Sequence, residues 1–510
     1  MSGWSTRETA RCFGVLLLLA LALHLSAFTV DLFNPDETYL ATQAGVLQDG
    51  GSLYEDAVDR KPPIVPYLYA GAFELTGSSS LVAPRVLAIL AAALTALLVA
   101  LLARDRWGSR AAWCAGLLCL LGTVSLTPED AQAAGFELFM LPFTAAAVLL
   151  ARRARWAASG VAAAVGALAK QTGGAVLLPV LALALRRRKV RPVLAVVVGF
   201  AVPVVTAALL LGFGDFMRWN LISNGSYASP PPLGDALEVF VEEWLTWIAF
   251  SIPVVVLVAV AWRDRRRVRA EGAGEGDTDL WLWLLASALG VAVGWRFFGH
   301  YFLQLVPAVS LLATGVLARR ELRRAAVVLG AVGAIAVGCA VSAYLVRSEN
   351  LLERRAYEAV ADAVRDRSGP DDRLLIWGSA PEIYWASNRR PATRFITTLS
   401  FLAGLQPGRS SDHAQPRRAN ARNWADFLED FDAHPPQVVV DTAPSGFKLA
   451  DRAPIARYPV LASRLAADYC FSATVKGEWV YERRAGVSPE ASSTAPRSDR
   501  ARPVAPRCAD

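Results

Sequence analysis

The sequence predicts an α-helical polytopic membrane protein with about 11 transmembrane helices and a C-terminal extracytoplasmic α/β domain. The first observation is composition: 54% of the 510 residues are hydrophobic and only 19% are charged, whereas about a quarter of the residues in a soluble domain are charged. The second is that the apolar residues form runs of about 15 to 22, the span of a bilayer. The third is that clusters of basic residues separate these runs. A purely soluble chain is therefore excluded.

The remaining composition narrows the class further. Lys and Arg number 52 against 45 Asp and Glu, a net charge of +7. Membrane proteins use basic residues to set orientation, so this excess does not predict a nucleic-acid partner. The 37 glycines and 29 prolines show no period, which excludes a collagenous or disordered chain. The six cysteines form no CxxC pair, so neither a zinc site nor a disulfide scaffold is predicted.

The N-terminal segment resembles a secretory signal sequence, because Arg7 and Arg11 precede an apolar run at 12–30. No small-x-small cleavage site follows it, and the run is long enough to span a bilayer. We expect an uncleaved first helix with the N-terminus in the cytoplasm.

Basic clusters determine the predicted topology, because the positive-inside rule places them in the cytoplasm. The five clusters are Arg104–Arg110, Arg152–Arg155, Arg186–Arg191, Arg263–Arg269 and Arg319–Arg324. Between successive clusters the chain must cross the membrane an even number of times. Every loop without a basic cluster then lies on the outer side, starting with the first loop at 31–81.

The apolar stretch Ala157–Leu185 is too long for one comfortable span and short for two. Even parity requires two passes, so we predict two short helices with a hinge near Lys170–Gly174, on the outer side or partway through the membrane. The last span, Ala325–Leu345, leaves everything after Arg347 outside.

The tail beyond this span has a different composition, with short β-like runs at Arg373–Trp377 and Gln437–Val440. Helical patterns at Leu352–Arg365 and Trp424–Phe431 alternate with them, as in a small α/β domain. The predicted domains are a transmembrane domain at 1–346 that includes the first outer loop, an extracytoplasmic α/β domain at 347–485 and a disordered tail at 486–510.

The first outer loop contains the most suggestive polar residues. Asp36 and Glu37 form an acidic pair, and Arg60 and Lys61 precede two prolines. Together they supply a base and an anion-binding clamp in one loop. The alternative is a solvated loop in which these acidic and basic side chains only pair with each other.

Glu137 lies just inside an apolar helix, where an unpaired carboxylate is costly, so it requires a polar cavity or a cation. Lys170, beside Gln171, lies at the predicted outward-facing hinge. It is able to hold either a phosphate or the Glu137 carboxylate. The alternatives are a structural ion pair for Glu137 and a lysine that extends to the membrane surface for Lys170.

The segment Trp295–Tyr301 opens a helix on the outer side, where Arg296 and His300 are able to add cationic or hydrogen-bonding contacts. An interfacial belt of aromatic residues with an arginine anchor is common in membrane proteins, and for this segment alone that interpretation is favoured. The convergence of these groups on one face is what indicates a site.

These motifs resemble those of integral-membrane type-C glycosyltransferases, in the bacterial protein O-mannosyltransferase-like and aminoarabinose-transferase-like group. The motifs in question are Pro35-Asp36-Glu37, Gly51–Tyr54, Arg60–Ile64, Gly135–Leu138, Ala169–Gln171, His300–Pro307, Ile376–Tyr384 and Pro391–Arg394. The first-loop motif is fairly specific and the later ones are loose. The resemblance covers about Asp31 to Val480.

The resemblance implies a polyprenyl-phosphate-linked sugar donor and transfer to an extracytoplasmic acceptor. Asp36 would act as general base on the acceptor hydroxyl, and Glu37 would orient the acceptor or Asp36. Lys61 would hold the lipid phosphate. The remaining expected donor-phosphate residues are Arg60, Lys170, Arg296 and His300, and the expected cavity residues are Tyr39, Tyr67, Glu137, Gln171 and Tyr301. No metal-ligand spacing is present, so no metal residues and no certain cofactor are predicted, and a divalent metal stays open.

The predicted function is therefore a glycosyltransferase in the bacterial cytoplasmic (inner) membrane, moving a mannose-like hexose or a pentose to a cell-envelope glycan, lipid or protein. The alternative is a transporter or flippase of lipid-linked saccharides, although the two halves show no convincing repeat. A non-catalytic membrane scaffold with a polymer-binding outer domain would leave Asp36, Lys61, Glu137 and Lys170 without a role.

Overall fold

The computed structural model describes residues 4–224, 232–270, 277–320, 322–405, 420–484 and 502–508. The chain forms two compact units. The first contains residues 1–37 and 60–347, and the second contains residues 38–59 and 348–510.

The first unit is helical. Its helices are α1 (Thr6–Leu23), α3 (Ile64–Thr76), α4 (Val82–Trp107), α5 (Ser109–Val124), α6 (Pro128–Ala131), α7 (Phe136–Arg152), α8 (Trp156–Ala169), α9 (Leu177–Leu185), α10 (Val190–Leu210), α11 (Phe213–Met217), α12 (Leu233–Ala270), α13 (Thr278–Ala292) and α14 (Val306–Leu317), while α2 (Pro35–Gln48) and α15 (Leu322–Arg365) continue into the second unit. A π-helical turn, Arg218–Ile222, follows α11, and a 3₁₀ helix, Gly299–Leu305, precedes α14.

The apolar runs of the sequence form these helices because a helix satisfies its own backbone hydrogen bonds in lipid. Five helices in the described part of the chain are long and apolar enough to cross a bilayer, and four shorter apolar helices accompany them. The chain is therefore a multi-pass membrane protein, as expected. The number of about 11 spans stays a prediction.

The predicted hinge is confirmed. Helix α8 ends at Ala169, and Lys170 adopts extended backbone angles of φ −152° and ψ 133°. A 3₁₀ turn, Gln171–Val176, then leads into α9. The break places Lys170 between two short helices, so the direction of its side chain is not set by the repeat of either helix.

The second unit is built around a five-stranded sheet in the order β2-β1-β3-β5-β4. The strands are β1 (Arg373–Trp377), β2 (Arg390–Pro391), β3 (Val438–Asp441), β4 (Tyr469–Val475) and β5 (Glu478–Arg483). Strands β2, β1 and β3 are parallel, whereas β5 and β4 run antiparallel. Helices α16 (Pro381–Ser387), α17 (Ala421–Ala433) and α18 (Pro459–Asp468) complete the unit. The two β-like runs predicted near 373 and 437 are confirmed as strands.

Residues 38–59 correct the predicted domain division, which placed the whole first loop in the transmembrane domain. Ala57 is fully buried in the core of the second unit, and Tyr39 and Val46 pack against that core. The Val58 amide donates to the Arg394 carbonyl at 3.0 Å. A loop inserted into a distant core leaves no local pattern, because the contacts it makes lie more than 300 residues away.

The C-terminal tail also corrects a prediction. Residues 502–508 lie against β4, where the Phe471 amide donates to the Pro506 carbonyl and the Cys508 amide donates to the Phe471 carbonyl. Cys470 and Cys508 form a disulfide, which the absence of CxxC spacing did not predict. A disordered tail is therefore wrong for 502–508, and residues 485–501 lie outside the described part. The free cysteines of the described chain, Cys12, Cys114, Cys119 and Cys339, are buried.

Replacing Cys508 with serine is expected to destabilise the second unit by about 3 to 4 kcal/mol, because the disulfide closes a long loop in the unfolded chain. The loop spans 38 residues. Chemical unfolding of the full chain in detergent, with and without reductant, measures the loss. Cys339→Ser is the matched control and should leave the transition unchanged. An unfolding curve of Cys508→Ser that matches the oxidised wild type would contradict the prediction.

Candidate active site

A cleft of about 310 Å³ in the first unit brings several predicted site residues together. Its walls are formed by Asn34, Asp36, Glu37, Glu129, Asp130, Ala133, Gly135, Glu137, Leu138, His300 and Leu303. Five acidic residues and one histidine therefore face this cleft.

Asp36 is presented at the N-terminus of α2. The Asn34 side chain accepts a hydrogen bond of 3.0 Å from the Asp36 amide, and Pro35 occupies the first helical position. This is a favourable start for a helix, because Asn satisfies an unpaired amide and Pro has none to satisfy. The Asp36 side chain is exposed, and the helix dipole favours its negative charge.

The Glu37 carboxylate, in contrast, is buried and is hydrogen-bonded by several protein groups. Its carboxylate forms a two-pronged ion pair with Arg85, at 2.7 and 2.8 Å, and also accepts from the amides of Phe33 and Ala134 at 3.2 and 3.0 Å. The side chains of Glu37 and Arg85 are only 1% and 2% exposed. These contacts tie the start of α2 to α4 and to the segment before α7, so Glu37 fixes the position of its neighbour Asp36.

Breaking this pair is expected to destabilise the first unit by about 3 to 5 kcal/mol, because either single variant leaves one buried charge without its partner. Arg85→Ala and Glu37→Gln should therefore both unfold at lower temperature or denaturant concentration. Asp105→Asn, at the opposite, more exposed end of α4, is the matched control. If Arg85→Ala unfolds like the wild type, the Glu37–Arg85 pair does not stabilise the first unit.

Glu137 and Lys170 form a buried ion pair, with exposures of 2% and 5% for the two side chains. Of the two partners predicted for Lys170, the structure thus shows the carboxylate. The ammonium also lies 3.7 Å from the centre of the Tyr301 ring, in a cation–π geometry. The hinge after α8 is what permits the lysine to reach the second residue of α7.

Lys61 also lies near this aromatic ring. Its ammonium is 5.8 Å from the centre of the Tyr301 ring and 5.5 Å from that of Phe136. Lys61 and Asp36 are both close enough to Lys170 to act on its charge, the first repelling and the second attracting it. The two lysines therefore create positive potential beside the carboxylates of the cleft.

The loop that carries Lys61 is held by amide side chains. The Arg60 carbonyl accepts hydrogen bonds from Gln171 at 2.5 Å and from Asn224 at 2.9 Å. Gln171, predicted as a cavity residue, thus connects the hinge to the residue before Lys61. This contact positions the lysine from the backbone side.

Asp130 and His300 form a second pair at the cleft. The Asp130 Oδ1 atom lies 2.8 Å from both the His300 backbone nitrogen and Nδ1, and Thr127 donates to Oδ2 at 2.8 Å. A carboxylate only accepts hydrogen bonds, so Nδ1 must carry a proton. A Cβ at Gly299 would meet Asp130 Oδ2 at 2.0 Å, so only glycine permits this close approach.

Three predicted residues lie elsewhere. Tyr67 is 46% exposed on α3, and its neighbour Tyr69 is the buried one, donating to the Ala134 carbonyl at 2.8 Å. Arg296 is half-buried between Trp295 and Phe297, which adopt positive φ values of 59° and 47°. Tyr39 belongs to the second unit, where its hydroxyl donates to the Val58 carbonyl at 2.6 Å.

Sequence reasoning missed Arg85, Asn34, Glu129 and Asp130. Arg85 carried a usable signal, since an arginine three residues into an apolar helix requires a buried partner. Glu129 and Asp130 follow Thr127-Pro128 in the short segment between two apolar helices. An acidic pair in that segment is the same signal that identified Asp36 and Glu37. Within the described residues, no three histidine, cysteine or acidic side chains are arranged to hold a metal ion.

Comparison with known proteins shows what this arrangement resembles. Residues 60–211 match the family described as dolichyl-phosphate-mannose-protein mannosyltransferase. The structure is similar to that of ArnT from Cupriavidus metallidurans bound to undecaprenyl phosphate, with a TM-score of 0.65 and 14% identity over 95% of this chain and 100% of ArnT. The chain shares the fold of ArnT. The expected resemblance is confirmed.

The same fold appears in more distant proteins. The archaeal oligosaccharyltransferase AglB from Archaeoglobus fulgidus, in complex with an inhibitory peptide and a dolichol-phosphate, matches with a TM-score of 0.53 and 14% identity over 96% of this chain and 75% of AglB. The apo state of ArnT matches at 0.65 and 15% identity over 93% of this chain and 98% of ArnT. No curated protein matches the chain in sequence.

Proposed function

We propose that this chain is a type-C membrane glycosyltransferase that moves a sugar from a polyprenyl-phosphate donor to an extracytoplasmic acceptor. Two observations near each other carry the proposal: Asp36 is presented to the cleft by a capped helix end, and Lys61 and Lys170 both lie close to the Tyr301 ring. A base beside cations is what transfer from a lipid phosphate requires. The ArnT and AglB structures, with undecaprenyl phosphate and dolichol-phosphate, support the same donor class.

In the proposed reaction the Asp36 carboxylate takes the proton of an acceptor hydroxyl. The acceptor oxygen forms a bond to the anomeric carbon of the sugar, and the bond from that carbon to the phosphate oxygen breaks. The electron pair leaves with the polyprenyl phosphate, whose added negative charge Lys61 stabilises. Glu37 fixes the start of α2 and thereby positions Asp36. The Asp130 carboxylate orients His300 toward the cleft.

The sequence leaves a requirement for a divalent metal undecided, and none of the steps proposed above involves one. Three of the five acidic side chains of the cleft, Glu37, Glu137 and Asp130, are paired with Arg85, Lys170 and His300. The described residues form no group of three side chains with metal-ligand geometry.

The proposed location is the bacterial cytoplasmic membrane, with the cleft and the second unit on the outer side. Five basic clusters between the apolar runs support this orientation. The Cys470–Cys508 disulfide supports it independently, because disulfides persist in oxidising compartments outside the cytoplasm.

This orientation predicts that a cysteine at residue 61 reacts with a membrane-impermeant maleimide added to intact cells. Lys61→Cys should therefore be labelled from outside. Lys189→Cys, in the exposed basic cluster after α9, should be labelled only after permeabilisation. Labelling of residue 61 from the cytoplasmic side alone would overturn the proposed topology.

Turnover with defined donors tests the function. Purified chain in detergent is incubated with polyprenyl-phosphate-linked mannose, glucose or arabinose and an envelope extract as acceptor. Release of free polyprenyl phosphate together with transfer of label to the acceptor is expected for at least one donor. A transporter would instead move the intact donor across a liposome membrane without cleaving it. That result would contradict the proposed glycosyltransferase function and favour a transporter.

A further inference from the structure

The second unit contains a group of buried polar side chains just beyond the carboxyl ends of β1 and β3. Strands β2 and β3 lie on opposite sides of β1, so the order in which the strands are added reverses at the β1–β3 boundary. In open α/β sheets the crevice outside such a boundary is where ligands bind. Gly378 follows β1 and Thr442 follows β3, and a Cβ at residue 378 would lie 2.3 Å from Thr442 Oγ1.

Four side chains form this group, called here the switch-point cluster: Ser379, Glu382, Asp441 and Glu478. They are 6%, 4%, 2% and 8% exposed. Three of their buried atoms, Ser379 Oγ, Glu382 Oε2 and Glu478 Oε2, have no hydrogen-bond partner within the described residues. Buried polar atoms are normally paired, and leaving three unpaired in one place is costly.

Lys448 is the cation that faces the cluster. Its ammonium donates to the Ser379 carbonyl at 2.9 Å and to Glu382 Oε1 at 3.3 Å. One ammonium does not balance three carboxyl groups. Burial, with the neighbouring Glu382 and Asp441, raises the pKa of Glu478 to about 8 despite the opposing effect of Lys448. Burial also raises the pKa of Asp441 to about 7.

The raised pKa values make the protonated forms of Glu478 and Asp441 far more populated near neutral pH than those of ordinary carboxyl groups, and each protonated carboxyl offers one donor beside its acceptors. A set of groups that both donate and accept matches hydroxyl groups, which do the same. A metal ion does not fit, because no three of the described acidic side chains have ligand geometry.

We propose that the switch-point cluster binds a saccharide unit through its hydroxyl groups. Glu382, Glu478 and Ser379 supply the unpaired oxygens, and the Lys448 ammonium supplies a hydrogen-bond donor beside them. Resting on the proposed transferase function, we infer that this saccharide is part of the acceptor, which makes the acceptor a glycan. Lys448 and Leu449 adopt φ values of 47° and 68°, a strained conformation for such residues, so segment 446–452 is the part that opens for the ligand.

Ligand-observed saturation-transfer NMR tests the site. The full chain, in a detergent without a sugar headgroup, is mixed with millimolar methyl glycosides of mannose, glucose, galactose and arabinose. At least one should bind the wild type, and Glu382→Gln or Glu478→Gln should weaken that binding at least tenfold. Ser379→Ala, which removes one oxygen and no charge, should weaken it about threefold while leaving the melting temperature unchanged.

Asp36→Asn separates this site from the proposed transfer chemistry. Binding that persists in Asp36→Asn but falls in the cluster variants supports the switch-point site, whether or not transfer is ever observed. Binding lost in Asp36→Asn and retained in the cluster variants places the sugar elsewhere and overturns the proposal. It is also overturned if no glycoside binds and the cluster variants change only the pH dependence of stability, because protons alone then balance the carboxyl groups.

Discussion

Asp36→Asn is expected to lower turnover by about 10²- to 10⁴-fold, the usual contribution of a positioned general base. Asparagine keeps the size and the polarity of the side chain but accepts no proton from the acceptor hydroxyl. The helix start should be unaffected, since Asn34 caps it through the Asp36 backbone amide rather than the side chain. Initial rates with the active donor, together with the unfolding midpoint, measure the two effects separately.

Two further variants sharpen this expectation. Asp36→Glu retains a carboxylate displaced by one methylene and should keep more activity than asparagine. Asp371→Asn, an exposed acid in the turn before β1, is the matched control and should turn over like the wild type. Donor binding by Asp36→Asn should persist. Wild-type turnover by Asp36→Asn would remove this residue from the role of base.

Lys61→Ala is expected to lower turnover efficiency by about two to three orders of magnitude, corresponding to about 2 to 4 kcal/mol of lost charge stabilisation. The lysine acts where water is partly excluded, between Phe136 and Tyr301, and Coulomb interactions are stronger there than in bulk water. Both binding of the donor and departure of the lipid phosphate should weaken. Single-turnover kinetics and the affinity for polyprenyl phosphate distinguish these two losses.

Lys61→Arg should retain part of the activity, because the charge survives while the compact ammonium geometry does not. Lys189→Ala removes an exposed lysine of a basic loop and is the control for charge alone. Gln171→Ala should give a smaller defect than Lys61→Ala, since it removes hydrogen bonds to the Arg60 and Asn220 carbonyls and leaves the lysine in place. Equal donor affinity in Lys61→Ala and wild type would mean that the lysine does not hold the phosphate.

Local sequence patterns were sufficient to predict the break after α8 and the strand β1. The polar break at Lys170 predicted the boundary between α8 and the following turn because a span of that length had to bend. The β-branched and leucine-rich run at Arg373–Trp377 predicted β1 residue for residue. Such signals depend on periodicity and composition within one segment, and they survive without any knowledge of the neighbours.

The sequence alone thus determined that this chain crosses a membrane several times, carries an α/β unit and contains acidic and basic groups suited to lipid-phosphate chemistry. Only the tertiary structure decided which charges meet. It paired Lys170 with Glu137, Glu37 with Arg85, and Asp130 with His300, and joined Cys470 to Cys508. The physical reason is that a charge or thiol specifies the kind of partner it needs, whereas helix packing and chain crossings decide which distant residue comes within bonding distance.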